Sequence, residues 1–214
     1  MIICVGHQKG GVGKSTLVYN LAVAFQQLGK SIQVIEADPS IRTCSRWANA
    51  REELTDKDPV ITVRKDGVLG ATLKEASHNY DIVLVDTAGK DSKELRSAMT
   101  VADVLLVPTS AEQADLEATF DFFQVVDMVS EINEKLTTLT VLTKAPTHAH
   151  SQDVRDAKNF LGMIDSPNMK IAETVIHRRS VFHRTTSEGL SVVESKDSKA
   201  KAEVQLLAQE IINL

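Results

Sequence analysis

Three features of the sequence predict an α/β fold of the doubly wound kind, a mostly parallel sheet with helices on both faces. Short continuous apolar runs end in glycine, proline or a carboxylate, as strands buried on both faces do. Segments of helical spacing alternate with those runs and supply the crossovers that parallel strands require. Of the 214 residues 43% are hydrophobic but only 4% aromatic, so the core rests on Val, Leu, Ile and Ala rather than on the aromatic anchors of a sandwich.

Met1 to Gly6 reads as a buried central strand ending in glycine. After a glycine-rich turn, Ser15 to Leu28 carries Leu17, Leu21, Ala24 and Leu28 at helical spacing, and Gly29 stops the helix. Ile32 to Ala37 is the second strand, broken by Pro39; Ser40 to Glu53 is helical, and Val60 to Val63 a short strand. Val68 to His78 is the next helix, with Val68, Leu69, Leu73 and Ala76 on its apolar face, and Asp81 to Asp86 a strand ending in a carboxylate. Asp91 and Glu94 have capping-box spacing for the helix that follows. Val104 to Val107 is a strand closed by Pro108.

Ser110 and Gln113 are candidate caps for a long helix from Glu112 to about Lys135. Its apolar residues fill more than one stripe, the pattern of a helix deeply covered or lying against a partner subunit. Thr138 to Thr143 is a strand, Ser151 to Leu161 a helix, Lys170 to Ile176 a last strand and Lys196 to Leu214 a terminal helix. Val204, Leu207, Ala208 and Ile211 share one face of that helix, while Glu203 and Glu210 and the lack of a basic face or aromatic wedge point to docking on the sheet rather than on a membrane. No repeat, low-complexity tract or linker divides residues 1–214, so one domain is expected.

No window approaches the roughly 20 apolar residues that span a bilayer, and no charged n-region precedes an apolar stretch. Cys4 and Cys44 form neither a disulfide framework nor a paired metal motif, so a cytoplasmic location is expected. The net charge of −5 weighs against a surface coated in positive potential but leaves room for a local basic patch.

The chemistry is concentrated in His7-Gln8-Lys9-Gly10-Gly11-Val12-Gly13-Lys14-Ser15-Thr16. Glycines let backbone N–H groups approach phosphates without a Cβ, and this loop runs straight into a helix N-terminus. Lys14 is placed for the β- and γ-phosphates of ATP, the Ser15 hydroxyl for Mg²⁺, and Thr16 for the α-phosphate. The usual P-loop pattern has glycine where Gln8 stands, and Lys9 puts a second lysine inside the loop. Asp38 and Asp86 end neighbouring apolar runs, and strand ends converge on one crevice in a doubly wound sheet, so both are expected to face the phosphates and the Mg²⁺ shell.

The run Lys9 to Thr16 resembles the deviant Walker A motif of the ParA/MinD ATPases. Glu36-Ala37-Asp38-Pro39 is similar to that group's A′ motif and Asp86-Thr87-Ala88-Gly89 to its Walker B region. Ile176 to Val181 with Gly189 to Val192 resembles the late strand-and-loop segment. Within the group the chain looks most like the small ParA-type, ParF-like, plasmid partition ATPases, which lack a helix-turn-helix ahead of the loop; here the loop begins at residue 7. The resemblance implies a homodimer with ATP between its subunits and slow, partner-stimulated hydrolysis. In it Lys9 reaches across to the partner's phosphates and Asp38 orients or activates water. It further implies a centromere-binding or adaptor protein and non-specific DNA as partners, hence nucleoid association.

Ser40 replaces a frequent glutamine, Glu36 a frequent aspartate and Ala88-Gly89 a frequent Pro-Pro, departures that bear on turnover rather than on nucleotide binding. Candidate DNA contacts are Arg178, Arg179, Arg184, Lys196, Lys199 and Lys201, with Arg155 and Lys158 beside them; each alone reads more readily as a solvated surface charge. His148 and His150 flank Ala149 without further ligands for a metal. Trp47 and Arg46 follow the A′ motif and suit either an interface or ordinary packing. Competing functions are a MinD-like positioning ATPase with a protein or membrane cargo and an ATP-using biosynthetic enzyme of the same fold. An iron–sulfur carrier would need paired interface cysteines.

Overall fold

The computed structural model describes residues 1–147, 152–166 and 168–214. Its seven strands are β1 (Ile2–Val5), β2 (Ile32–Glu36), β3 (Ile61–Arg64), β4 (Ile82–Asp86), β5 (Val104–Thr109), β6 (Thr137–Leu142) and β7 (Met169–Ile171). They form one sheet in the order β3-β2-β4-β1-β5-β6-β7 with every pairing parallel. The helices are α1 (Lys14–Gln27), α2 (Thr43–Glu52), α3 (Gly70–Asn79), α4 (Lys93–Met99), α5 (Gln113–Ser130), α6 (Gln152–Leu161), α7 (Ser180–Ser187) and α8 (Ser198–Ile212).

Strand alternation divides the core into two layers. Ile3, Val5, Val34, Leu84 and Leu106 pack with α1, α2, α7 and α8 on one face. Ile2, Cys4, Ile35, Val85 and Val107 pack with α3, α4 and α5 on the other. The doubly wound expectation therefore holds. Because β4 lies between β1 and β2, the chain leaving β1 opens its loop at the point where the strand order reverses, the place for a ligand in such sheets.

Several local expectations are corrected. The cap of α4 is Ser92, which accepts from the Leu95 N–H, while Asp91 pairs with Arg96 at 2.7 Å. Pro108 does not close β5 but lies inside it. Its position has the same sense as Leu106, whose carbonyl faces β1, and β1 has ended by that level, so no ladder bond is lost. The last strand is shorter than Lys170 to Ile176, because the Glu173 and Thr174 amides leave the ladder for the Glu210 carboxylate on α8 at 2.7 and 3.2 Å. The stretch after His177 is helical from Ser180, with Val181, Phe182 and Thr185 buried at helical spacing.

The long helix stops at Ser130 rather than near Lys135, and Asn133 then donates to the Met99 and Ala102 carbonyls at 2.8 Å each. Neither Ser110 nor Gln113 caps it in the expected way: Glu112 is the N-cap, and Ser110 accepts from the Glu112 N–H and donates to Asp115. One face of α5 is deep in the core, while Phe120 and Met128 remain exposed. The terminal helix docks by the apolar face read from sequence, chiefly on α1 and the Val192–Glu194 turn rather than directly on the sheet. This outer layer explains why α1 is buried nearly all round.

Candidate functional site

The loop after β1 is shaped as a cradle. Gly13 is the N-cap of α1 with φ 98°, a left-handed conformation that an L side chain rarely adopts. A Cβ placed on Gly10, Gly11 or Gly13 would meet nothing within 4 Å, so the loop lines open space. Across it, Gly89 from the segment after β4 lies against the loop: a Cβ there would stand 2.5 Å from the Gly10 Cα and 2.7 Å from its nitrogen. Two residues beyond β6 brace the other side. Thr143 donates to the Val12 carbonyl at 2.8 Å, and Lys144, in a left-handed conformation with φ 54°, donates to the Gly11 carbonyl.

Lys14 is 7% exposed and bonds the Lys9 carbonyl at 2.9 Å. Burial lowers its pKa, against the pull of Asp86 and Asp38, which favour its charge. Asp86, the last residue of β4, is 2% exposed. Burial raises its pKa to about 6, with the Ser15 hydroxyl, the Cys44 thiol and Lys14 acting in the opposite sense. Its Oδ2 accepts from Cys44 Sγ at 3.2 Å, and its Oδ1 is buried with no hydrogen-bond partner among the described residues. A buried carboxylate oxygen without a donor, next to a serine hydroxyl and an open cradle, is a donor set that fits the hydrated Mg²⁺ of a bound nucleotide.

Asp38 is half-buried, and its Oδ1 accepts from the Ser40 N–H (2.9 Å), the Ser40 hydroxyl (2.6 Å) and the Ile41 N–H (3.3 Å). The carboxylate closes its own turn and lies close enough to Lys14 to favour that charge. Lys14, Ser15 and Asp86 are thus brought together, and Asp38 lies beside them with its Oδ1 bonded within its own turn.

The first residues of the loop are tied to α5. Lys9 forms an ion pair with Asp115, which also accepts from the Ser110 hydroxyl at 2.6 Å. Gln8 donates to the Ala118 carbonyl at 3.0 Å. His7 is fully buried, accepts the Lys9 N–H at Nδ1 (2.9 Å) and meets Thr119 Oγ1 through Nε2 (3.0 Å). Burial and the Lys14 charge push its pKa down to about 4, so it is neutral and donates from Nε2. The side chain of the second lysine is 37% exposed at the rim of the site.

Sequence reasoning missed two parts of this site. A cavity of about 300 Å³ opens beside the N-terminus of α1, lined in part by Thr16, Lys144, Arg178, Arg179, Phe182 and His183. The start of α7 forms one of its walls, and the segment has too few apolar residues to announce that helix. The other missed part is the contact of Glu36 and Cys44 with Asp86: the three bring ligand atoms within 4.8 Å of one another, all buried.

The basic candidates differ in exposure and in what holds them. Arg178 is exposed at the cavity mouth, whereas Arg179 is held by Glu203 at 2.7 Å together with His177. Arg184 lies exposed on α7, Lys196 and Lys199 are exposed around the start of α8, and Lys201 is partly buried there. Arg155 is exposed on α6, and Lys158 donates to the Glu173 carbonyl at 3.2 Å. Trp47 is a core residue stacked on Tyr19 with ring centroids 5.0 Å apart, while Arg46 is exposed. His148 and His150 lie outside the described residues. No described helix is long and apolar enough to cross a membrane.

Comparison with known proteins agrees with this geometry. The family model of the VirC1 protein matches residues 1–213. Maintenance of carboxysome distribution protein A of Halothiobacillus neapolitanus is 24% identical over 98% of this chain and 95% of its own length. Protein ParA of Rhizobium radiobacter is 26% identical over 75% of this chain and 72% of its own. The structure of the septum site-determining protein MinD of Pyrococcus horikoshii, complexed with Mg-ADP, superimposes with a TM-score of 0.76 at 22% identity, covering 98% of this chain and 95% of that one. The chain belongs to the VirC1 protein family and, with it, to the ParA/MinD group of deviant Walker A ATPases, whose cofactors are ATP and Mg²⁺.

Proposed function

We propose that the chain is an ATP-dependent dimerisation switch, of the small ParA type, that partitions or positions DNA together with an adaptor protein. The observation that carries this reading is the position of Lys9. Lys14 already occupies the loop interior, so a second lysine at the exposed rim, held only by Asp115 of its own chain, is available to another subunit's phosphates. Lys9 is part-exposed while Asp115 is buried and keeps the Ser110 hydroxyl as a second donor, so a polyanion offered by a partner subunit can compete for the lysine without leaving the carboxylate bare. Bound ATP·Mg²⁺ supplies the phosphoryl group and the cation that polarises it. Of the chain's own groups, Lys14 and the loop amides would bind the phosphates, Ser15 and Asp86 would hold the Mg²⁺ shell, and Lys9 would neutralise charge across the dimer.

Slow hydrolysis fits the state of Asp38. Its Oδ1 is taken by three donors of its own turn, which leaves one oxygen of the carboxylate to orient or activate water. An adaptor that rearranges this turn would stimulate turnover and reset the cycle. ATP favours the dimer only by its differential affinity, and a swing from 1:99 to 99:1 needs about 5.5 kcal/mol. Dimerisation would also double the contacts of Arg178, Arg184, Lys196 and Lys199 with a DNA backbone and bring the protein to the nucleoid.

A second reading, positioning of a protein assembly, is supported by the likeness over 98% of the chain to a carboxysome distribution protein. The two readings part on one experiment: binding to non-specific duplex DNA in ATP, ADP and no nucleotide, at two salt concentrations, for the natural chain and Lys14→Ala. ATP-dependent, salt-sensitive binding that Lys14→Ala loses is expected. ATP-driven dimerisation with no DNA binding in any state would refute DNA partition and favour a protein cargo.

A further inference from the structure

Two carboxylates stand side by side where the sheet meets the site. Glu36 and Asp86 end adjacent strands, are register partners, and are both buried. Neighbouring buried acids need separate sets of donors. Glu36 draws its donors from the first turn of α2. Its Oε1 accepts the N–H groups of Cys44 (2.8 Å) and Ser45 (3.3 Å), and its Oε2 accepts the Ser45 hydroxyl. No side chain at the N-cap of α2 does this work, so a residue from β2 anchors that helix. The anchoring sets Cys44, 1% exposed, with its Sγ 3.2 Å from Asp86 Oδ2 and leaves Asp86 Oδ1 buried with no hydrogen-bond partner among the described residues.

We propose that Cys44 is a positioning residue for the metal: its thiol holds Asp86 Oδ2, so that the free Oδ1 is the oxygen presented to the Mg²⁺ shell beside Ser15. The inference rests on reading the loop as a nucleotide·Mg²⁺ site. A carboxylate with one oxygen tied keeps one orientation, whereas without the thiol donor it is free to turn both oxygens toward Lys14 and Ser15. The donor is a weak one, so the effect is graded rather than absolute. Glu36 also draws together the two ends of the segment 37–43 that bears Asp38, so the metal carboxylate and the Asp38 turn share one anchor.

The test compares Cys44→Ala, which removes the donor, with Cys44→Ser, which keeps one. Melting temperature is followed with ADP in EDTA and through a Mg²⁺ titration, with fluorescence of Trp47, the only tryptophan and a member of α2, as a second readout. Cys44→Ala is expected to raise the half-saturating Mg²⁺ about tenfold, the low end for loss of a residue that orients a metal ligand. Cys44→Ser should stay within about threefold of the natural chain, and ADP binding in EDTA should be unchanged in both. If Cys44→Ala does not fold, Cys44→Val fills the same space without a donor and takes its place.

An unaltered Mg²⁺ dependence in the donor-free variant overturns the proposal. So does an equal shift in the Ser and Ala variants, which would mean packing, or an equal loss of ADP binding in EDTA. A natural chain whose ADP complex ignores Mg²⁺ would instead overturn the reading of the site, and the inference with it.

Discussion

Removing His7 or Asp86 should tilt the pH dependence of stability in opposite directions. His7 falls from 6.5 to about 4 on folding, because burial and then the Lys14 charge disfavour the imidazolium. Between those values the unfolded chain binds the extra proton, so His7 contributes stability that is complete above pH 6.5 and is lost as pH falls toward 4. Asp86 has the opposite sign: its pKa rises from 3.8 to about 6 through burial, so its contribution is complete below 3.8 and is lost as pH rises through 6. Each full proton difference is worth about 1.4 kcal/mol per pH unit. From about pH 4.5 to pH 6 each group alone changes stability by about 2 kcal/mol, and together they nearly cancel. Asp56, Asp81 and Asp115, all lowered from 3.8, add little in this window because they are mostly ionised in both states, and Glu94, lowered from 4.5, adds only a small gain with pH at its lower edge. Urea denaturation of protein free of nucleotide and Mg²⁺ checks the argument. The natural chain should be flat across the window, His7→Gln should lose about 2 kcal/mol as pH rises, and Asp86→Asn should gain about as much. Parallel profiles in all three, or a His7→Gln chain that gains stability with pH, would refute it.

Two further perturbations test the packing around the loop and the core. Gly89→Ala sets a Cβ 2.5 Å from the Gly10 Cα, a backbone atom that cannot yield cheaply. Overpacking of this kind costs about 1–3 kcal/mol, so ADP affinity by calorimetry should fall roughly tenfold while far-UV circular dichroism stays unchanged. Glu194→Gln breaks the two-pronged pair with Arg51, whose nitrogens lie 2.9 and 3.0 Å from the carboxylate and which is 2% exposed. An uncompensated buried guanidinium costs about 3–5 kcal/mol, to be read as a lower urea midpoint, and a loss under about 1 kcal/mol would contradict the burial.

Period and punctuation made most of the fold legible. Apolar runs such as Ile82 to Val85, short, mostly β-branched and ended by a carboxylate, read as strands with both faces covered, and the register of β4 between β1 and β2 bears that out. What escaped was decided by partners distant in sequence. Glu210 on α8 takes the amides that would have extended β7, and no local pattern near Glu173 announces a carboxylate 37 residues away. Pro108 reads as a terminator because proline lacks an N–H, but the missing donor matters only where a neighbouring strand is present to receive it. The Ser180 helix was hidden because a short segment with two apolar residues looks alike at either period.

The site divides along the same line. Glycines and lysine announce a phosphate loop because backbone geometry dictates those residue types at those places. Lys14, Ser15 and Asp86 therefore converge as their positions imply. Side chains that act on the loop from elsewhere carry no such constraint. Asp115 lies on a helix more than a hundred residues from Lys9, and as a residue type it is indistinguishable from any first-turn aspartate. Cys44 looks inert in a sequence because a lone cysteine has no partner to suggest a role. It acquires one only because Glu36 reaches out of β2 to hold the helix that carries it. Composition and spacing thus mark the loop itself, while the side chains that hold it are specified by tertiary contact. Lys9, His7 and Gln8 are accordingly all engaged by one distant helix, α5, which also carries the exposed Phe120 and Met128.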